Sequence, residues 1–508
     1  MGSKRFFLLL CLFLIMASAN VFAGGFAFDG IGVKANSMGG AFRAIADDWS
    51  AAYYNPAGYY QIQDNQFAFN TAFFHNRYWM TPNVYWHDGT GGTYETGFFN
   101  DQKISNQHKV SHRLQGGVLA RLPISDNEVV LGFSLYSLYN QNQNWELMQM
   151  LPAHYIDTTV LPSNQFGIKL DGTAYQLTMA TGFMDDKLSV GLGLSLVRAD
   201  LIYNNVTLRS NPMDAPISDR PHDKIPEYYK NEGDGLGYGF RFGLLYDVTD
   251  KMKIAFTYSG VSSIDITGRT QFEFFLGQNP NTMIYYTSQQ WEKLLFTNGE
   301  VVEVAADFET TLDLPSTIGG GISYQVSDKL TLALDAEVVM WSKFKGFDFS
   351  FSNYEASGGQ DYYDNRSYLT NSDYPNLQQM IFTDLSTPVV WKDAAKVMFG
   401  ANYQASNFLD LRVGFSSDQS AVDFDNPGGA TQIPQFIDLG TKYNYSFGFS
   451  FNIDVWSIEF STIYTHQPDF ISDTTADQDI NDDGLIDNIA ATYSADNYRT
   501  VLGFNYRF

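Results

Sequence analysis

A repeated hairpin constrains this sequence more than any other feature. From about residue 66 onward, two stretches of alternating apolar and small or polar residues flank a tight polar turn. A long polar segment follows, and the pattern returns. The tight turns are Ser125-Asp126-Asn127, Asp185-Asp186-Lys187, Thr249-Asp250-Lys251, Ser327-Asp328-Lys329, Ala405-Ser406-Asn407 and Asn452-Ile453-Asp454. Asp and Asn suit such turns because their short side chains bond the local backbone and tolerate unusual φ. The long segments lie near 78–112, 140–172, 200–234, 273–307, 353–388, 424–436 and 471–492. Six turns and seven long segments make thirteen connections, hence fourteen strands. An even number of antiparallel strands, with short turns at one end and long loops at the other, is the organisation of an outer-membrane barrel. The expected fold is all-β: a transmembrane antiparallel β-barrel of fourteen strands.

The faces of the strands agree. In 188–196, Leu188, Val190, Leu192, Leu194 and Leu196 oppose Ser189, Gly191, Gly193 and Ser195. In 235–244, Leu236, Tyr238, Phe240, Phe242 and Leu244 oppose Gly235, Gly237, Gly239, Arg241 and Gly243. Successive side chains point to opposite faces of a strand, so each strand has one apolar face and one small or polar face. A soluble sandwich alternates too, with its apolar face toward a core. Aromatic residues at 16% and charged residues at only 17% favour lipid on the apolar side. A net charge of −25 argues against nucleic-acid binding, which needs a basic face.

Both ends of the chain read as addresses. Lys4 and Arg5, an apolar run from Phe6 to Met16 and the small-x-Ala site Val21-Phe22-Ala23 make a secretory leader over residues 1–23. The single cysteine, Cys11, lies inside it, so the mature chain carries no disulfide and no thiol chemistry. At the other end Leu502, Phe504, Tyr506 and Phe508 alternate strictly. That resembles the C-terminal signal read by the barrel assembly machinery, and the two ends agree on a Gram-negative outer membrane.

Residues 24–62 do not follow the hairpin pattern, and 63–508 form the expected barrel. Fourteen strands enclose a lumen too wide for wall side chains to fill, since about eight already enclose a filled one. The small inward residues at 174–182, 189–197 and 235–243 leave room for an insert, and 24–62 is the simplest plug. Its sequence, Gly39-Gly40-Ala41, Ala46-Asp47-Asp48, Ala51 and Tyr54-Asn55-Pro56-Ala57-Gly58, resembles the N-terminal hatch of the FadL/TodX family. Asn55, Pro56 and Ala57 match that family's Asn-Pro-Ala motif.

The resemblance implies an outer-membrane channel for passive uptake of hydrophobic molecules such as long-chain fatty acids or aromatic hydrocarbons. It also implies a ligand route past the mature N-terminus and out sideways through a gap in the wall. A passage that returns an apolar solute to hydrocarbon avoids a water-filled lumen. Phe26, Phe28, Ile31 and Val33 are the candidate pocket contacts, equally suited to anchoring the plug. Inward Asp335, Glu337 and Arg412 are expected to hold the plug, and Arg241 or Arg412 could meet a ligand carboxylate. The gap itself cannot be placed from sequence.

The last long loop carries a second candidate site. Asp477, Asp479, Asn481, Asp483 and Asp487 offer oxygen ligands around Gly484, as at the start of an EF-hand loop. Position twelve, counted from Asp479, is Ala490, so the closing carboxylate is missing and only weak calcium binding is expected. The alternative is a solvated acidic loop. No cofactor is otherwise required, and neither a metalloprotease His pair nor a nucleophile elbow is present, so no catalytic residues are expected. A general polar porin and a surface adhesin are the competing functions. Partners are a hydrophobic ligand, outer-membrane lipid and the assembly machinery, and a closed barrel favours a monomer.

Overall fold

The computed structural model describes residues 25–26, 30–87, 93–95, 102–106, 110–124, 127–146, 165–210, 224–275, 301–357, 384–422, 440–471 and 488–508. In chain order the strands are β1 (Gln66–His87), β2 (Thr93–Glu95), β3 (Ile104–Ser105), β4 (Ser111–Ile124), β5 (Asn127–Trp145), β6 (Phe166–Phe183), β7 (Leu188–Ser210), β8 (Lys224–Thr249), β9 (Met252–Val261) and β10 (Ile264–Phe275). They continue with β11 (Val301–Leu312), β12 (Thr317–Ser327), β13 (Leu330–Val339), β14 (Gly346–Ser357), β15 (Leu385–Pro388), β16 (Ala394–Ser406), β17 (Leu409–Asp418), β18 (Lys442–Ile453), β19 (Trp456–Ile471) and β20 (Asn488–Arg507). Among the described residues, fourteen of these form one closed antiparallel wall: β1, β4–β9, β12, β13 and β16–β20. β1 closes the ring on β20 from Gln66↔Arg507 to Tyr85↔Asn488.

All six tight turns fall between consecutive wall strands, at one end of the barrel. Leu194, Leu177, Tyr238, Phe256, Phe447 and Leu502 point outward and are exposed, as lipid contact requires. Among the described residues no helix is long and apolar enough to cross a membrane; the strands do the crossing.

The long connections differ from the expectation of plain loops. Part of each long segment but 424–436, which lies outside the described residues, is strand, and four wall strands break at the opposite end from the turns. β9 gives way to β10 at Ser262-Ser263, β11 to β12 at 313–316, β13 to β14 at 340–345 and β15 to β16 at 389–393. Above these breaks, β10, β11, β14 and β15 make a small sheet continuous with β8. Phe272, Phe274, Phe308, Phe347 and Phe349 alternate on its inner side and are buried together, which is why this part of the polar-looking segments folds.

The N-terminal segment packs against inner wall faces around the ring. Two short helices, α1 (Val33–Ser37) and α2 (Ala51–Tyr54), precede a 3₁₀ turn at Pro56–Gln61. Inward glycines make the space. A Cβ on Gly191 would strike Pro56 and Ala57, one on Gly243 would strike Asn55, one on Gly448 would strike Ser37, and one on Gly503 would strike Val33. At Gly39 the segment itself approaches the Phe415 backbone with φ +66°, a conformation other residues rarely adopt.

Candidate functional site: a lumenal cavity beside a gap in the wall

The N-terminal segment is gripped by charge. Asp335 on β13 is fully buried, and its Oδ2 accepts from the backbone N–H groups of Phe42 (2.9 Å) and Arg43 (2.8 Å). The Arg43 guanidinium stands 3.5 Å from Asp335 and bonds Glu337. Asn55 organises the turn after α2: its Oδ1 accepts from Ala57 N (3.1 Å), and its Nδ2 donates to Arg43 O (2.9 Å) and to Leu244 O on β8 (3.2 Å). One Asn side chain thus starts the 3₁₀ turn, with Pro56 at its first position, and ties the segment to the wall. Tyr59 Oη meets Ser134 Oγ (2.8 Å) and donates to Trp49 O (3.0 Å). Asp48 accepts from Ser50 N (2.8 Å) and Ser50 Oγ (2.6 Å) ahead of α2. Burial, with Glu459 and Asp47 nearby, pushes the Asp48 carboxyl up to about 6.

A gap opens in the wall beside this segment. The β4–β5 ladder runs from Ile124↔Asn127 only to Gly116↔Leu135. Beyond it β4 stays paired with β1 as far as Ser111↔Phe74, and β5 stays paired with β6 as far as Trp145↔Phe166. The β5–β6 register slips between Ser137 and Tyr139, leaving Leu138 as an extra residue. Such a bulge bends its strand and re-aims the side chains there. Gln115, at the lip of the gap, donates to Gly30 O (2.7 Å).

Leu138 and Tyr139 line a cavity, together with Tyr53, Arg241, Val261 and Val339. Arg241 Nη1 donates to Tyr53 O (2.9 Å), and its guanidinium lies 4.1 Å from the Tyr53 ring centroid. No carboxylate lies within ion-pair distance of Arg241 among the described residues. A second cavity lies along the N-terminal segment, lined by Asn36, Arg43, Met398, Asn444 and Ile463 among others. The two share Tyr53, Glu337 and Lys396.

Phe26 sits in an aromatic cage next to Tyr139. Its ring centroid is 4.7 Å from Trp341, 5.2 Å from Phe344, 5.4 Å from Tyr139 and 5.7 Å from Trp391. Trp341 and Phe344 arrive through the inward turn between β13 and β14, and Trp391 through the break before β16. Ile31 is fully buried in the same core, while Val33 wedges against Gly503 on β20. Asp335 and Glu337 hold the N-terminal segment. Arg412 does not: it bonds Asn402 (2.8 Å) and Ser450 (2.6 Å), wall residues on β16 and β18. Its expected plug contact is corrected, because β17 presents Gly414, not Arg412, to the segment. Phe28 and the acidic loop Asp477, Asp479, Asn481, Asp483 and Asp487 lie outside the described residues. Sequence reasoning missed Arg43, Leu138, Trp341, Phe344 and Trp391. Arg43 could have been found as one of two cations in an otherwise uncharged or acidic N-terminal stretch; the others carry no local signal.

Residues 14–508 match the family model described as outer membrane protein transport protein (OMPP1/FadL/TodX). Outer membrane protein P1 of Haemophilus influenzae is 20% identical over 522 residues, covering 97% of this chain and 98% of that protein. Among solved structures, a Pseudomonas aeruginosa FadL homologue matches with TM-score 0.68 at 16% identity, covering 95% of this chain and all of that one. The P. putida toluene transporter TodX matches with TM-score 0.60 at 13% identity, covering 94% and 99%.

Proposed function

This chain belongs to the OMPP1/FadL/TodX family of outer-membrane transport proteins, and we propose that it passes hydrophobic molecules from the cell exterior through a lumenal aromatic site and sideways through the β4–β5 gap. The observation that carries the reading is the union of the unpaired β5 edge with the Leu138–Tyr139 lining of the larger cavity. An apolar solute released there re-enters hydrocarbon. Residues 24–62 act as the hatch and 63–508 as the wall, after removal of the 1–23 leader. The Asn55-Pro56-Ala57 turn fixes the hatch. Of the pocket candidates Phe26, Phe28, Ile31 and Val33, Phe26 fills an aromatic cage that a ligand ring would occupy in its place.

Among hydrophobic compounds, long-chain fatty acids suit the site as well as aromatic hydrocarbons do, because Arg241 offers a half-buried cation to a carboxylate. The acidic loop at 477–487 binds calcium weakly and stiffens the cell surface; titration with Ca²⁺ watched by calorimetry tests this. The protein works as a monomer inserted by the barrel assembly machinery, and no catalysis is assigned to it. Segment 30–62 across the lumen disfavours a polar porin.

The test is uptake of a radiolabelled long-chain fatty acid and, separately, of toluene by Gram-negative cells lacking their own transporters of this kind. Saturable uptake that falls on deletion of Leu138, with the barrel still heat-modifiable, is expected. Leakage of small sugars without uptake of either label would overturn the proposal.

A further inference from the structure

Besides the β4–β5 gap, the ladder also fails where β9 meets β12. The β9–β12 ladder ends at Ser259↔Thr317. Pairing resumes above at Ile264↔Leu312, between β10 and β11. Four residues on each side, Gly260–Ser263 and Asp313–Ser316, lie between these pairs and make no ladder with one another. Only side chains meet across the break, where Ser263 Oγ bonds Asp313. Pro315 has no N–H to offer.

The break opens onto the same cavity and the same lipid. On the lumenal side, Ser259, Gly260, Val261, Pro315 and Thr317 line the large cavity, together with Leu138 of the first gap. On the outer side, Phe240 and Ile318 are exposed apolar neighbours, so the break lies within the lipid-facing band. Unpaired backbone at that depth is tolerated where it lines a cavity rather than faces lipid. A Cβ built on Gly260 would stand 3.2 Å from the Phe240 ring and 3.3 Å from Ser316 Oγ. The smallest residue thus sits against the Phe240 ring at the break.

We propose that the wall has a second lateral window, between β9 and β12, through which apolar ligands exchange between the large cavity and the outer leaflet. This rests on the hydrophobic-channel reading. β5 to β9 separate the two openings, so the cavity has two side doors.

A reversible staple tests it. Gly260→Cys with Ser316→Cys places two thiols across the window, and the 3.3 Å approach suits a disulfide. Cys11, in the expected leader, is the only native cysteine. The control staple, Phe256→Cys with Gly320→Cys, joins a paired position lower on the same ladder. Uptake of radiolabelled toluene is measured oxidised and after a membrane-permeant reductant. The expected result is a partial loss with the window staple, restored by reduction, and no change with the control. In a Leu138-deleted background the oxidised window staple should remove the remaining uptake. Unchanged uptake with the oxidised window staple overturns the window, as does complete loss on deleting Leu138 alone. Absence of uptake by the unmodified chain instead overturns the channel reading, and the window with it.

Discussion

Replacing Asp335 by Ala should release the hatch without dissolving the barrel. The carboxylate accepts two backbone N–H groups, at 2.9 and 2.8 Å, and faces the buried Arg43 guanidinium at 3.5 Å. Hydrogen bonds to a charged group contribute about 1.5–3 kcal/mol each. Removing one partner of a buried ion pair costs roughly 3–5 kcal/mol, because the other charge is left behind. These terms overlap, since Glu337 still meets Arg43, so about 4 kcal/mol is a fair net figure. At 1.36 kcal/mol per tenfold, the undocked hatch gains about a thousandfold in population. Hydrogen exchange at the Phe42 and Arg43 amides, in detergent or nanodiscs, reads that population directly. Asp335→Asn keeps an acceptor and should fall between. Adding Arg43→Met to Asp335→Asn should recover part of the loss, since no buried cation is then stranded. Heat-modifiable mobility on a gel controls for the wall. Hatch exchange in Asp335→Ala within about threefold of the native rate would refute the reasoning, because such a cost could not then be carried by this site.

The Asp48 carboxyl, held at about 6 against an ordinary 3.8, gives hatch docking a pH dependence. Its folded value is raised, so this contribution is full below about 4 and is lost as pH climbs through about 6. Asp48→Asn should flatten that dependence in hatch exchange measured from pH 4 to 8. Phe26→Ala should tighten binding of a small aromatic ligand by emptying the cage, whereas Trp341→Ala should weaken it; fluorescence titration distinguishes the two. Arg241→Gln should lower fatty-acid uptake several-fold more than toluene uptake, since it removes a charged bond worth about 1.5–3 kcal/mol to a carboxylate alone.

The parts of this fold that are written periodically were readable. Strand alternation separates Leu194 from Gly193, and turns bearing Asp or Asn mark each return, so count and facing follow from local rules. The glycines at 191 and 243 announced room, and Pro56-Ala57 and Asn55 fill it. What stayed hidden depends on tertiary pairing. Ser262-Ser263 and Leu314-Pro315 look like ordinary polar or turn sequence, and only the register of four strands makes them a break. Leu138 is one more apolar residue in an aromatic run until β6 skips it. The cage around Phe26 draws on Tyr139, Trp341, Phe344 and Trp391, residues no window of sequence holds together. Arg412 shows the converse. An inward charge is legible, but its height in the lumen is not, and it serves the wall.

The seat of the N-terminal segment has a consequence for assembly. Asn36 Nδ2 donates to Ser461 Oγ across 425 residues of sequence, and Ser446 Oγ donates to Ser37 O across 409. Gly414, Gly448 and Gly503 complete the same niche. The part of the polypeptide exported first is therefore received by strands made last. Until β17 to β20 are in place, the opening residues have no berth. Threading the plug is thus a closing act of biogenesis, and a precursor stalled before its final hairpin would present a loose N-terminal tail to periplasmic chaperones and proteases.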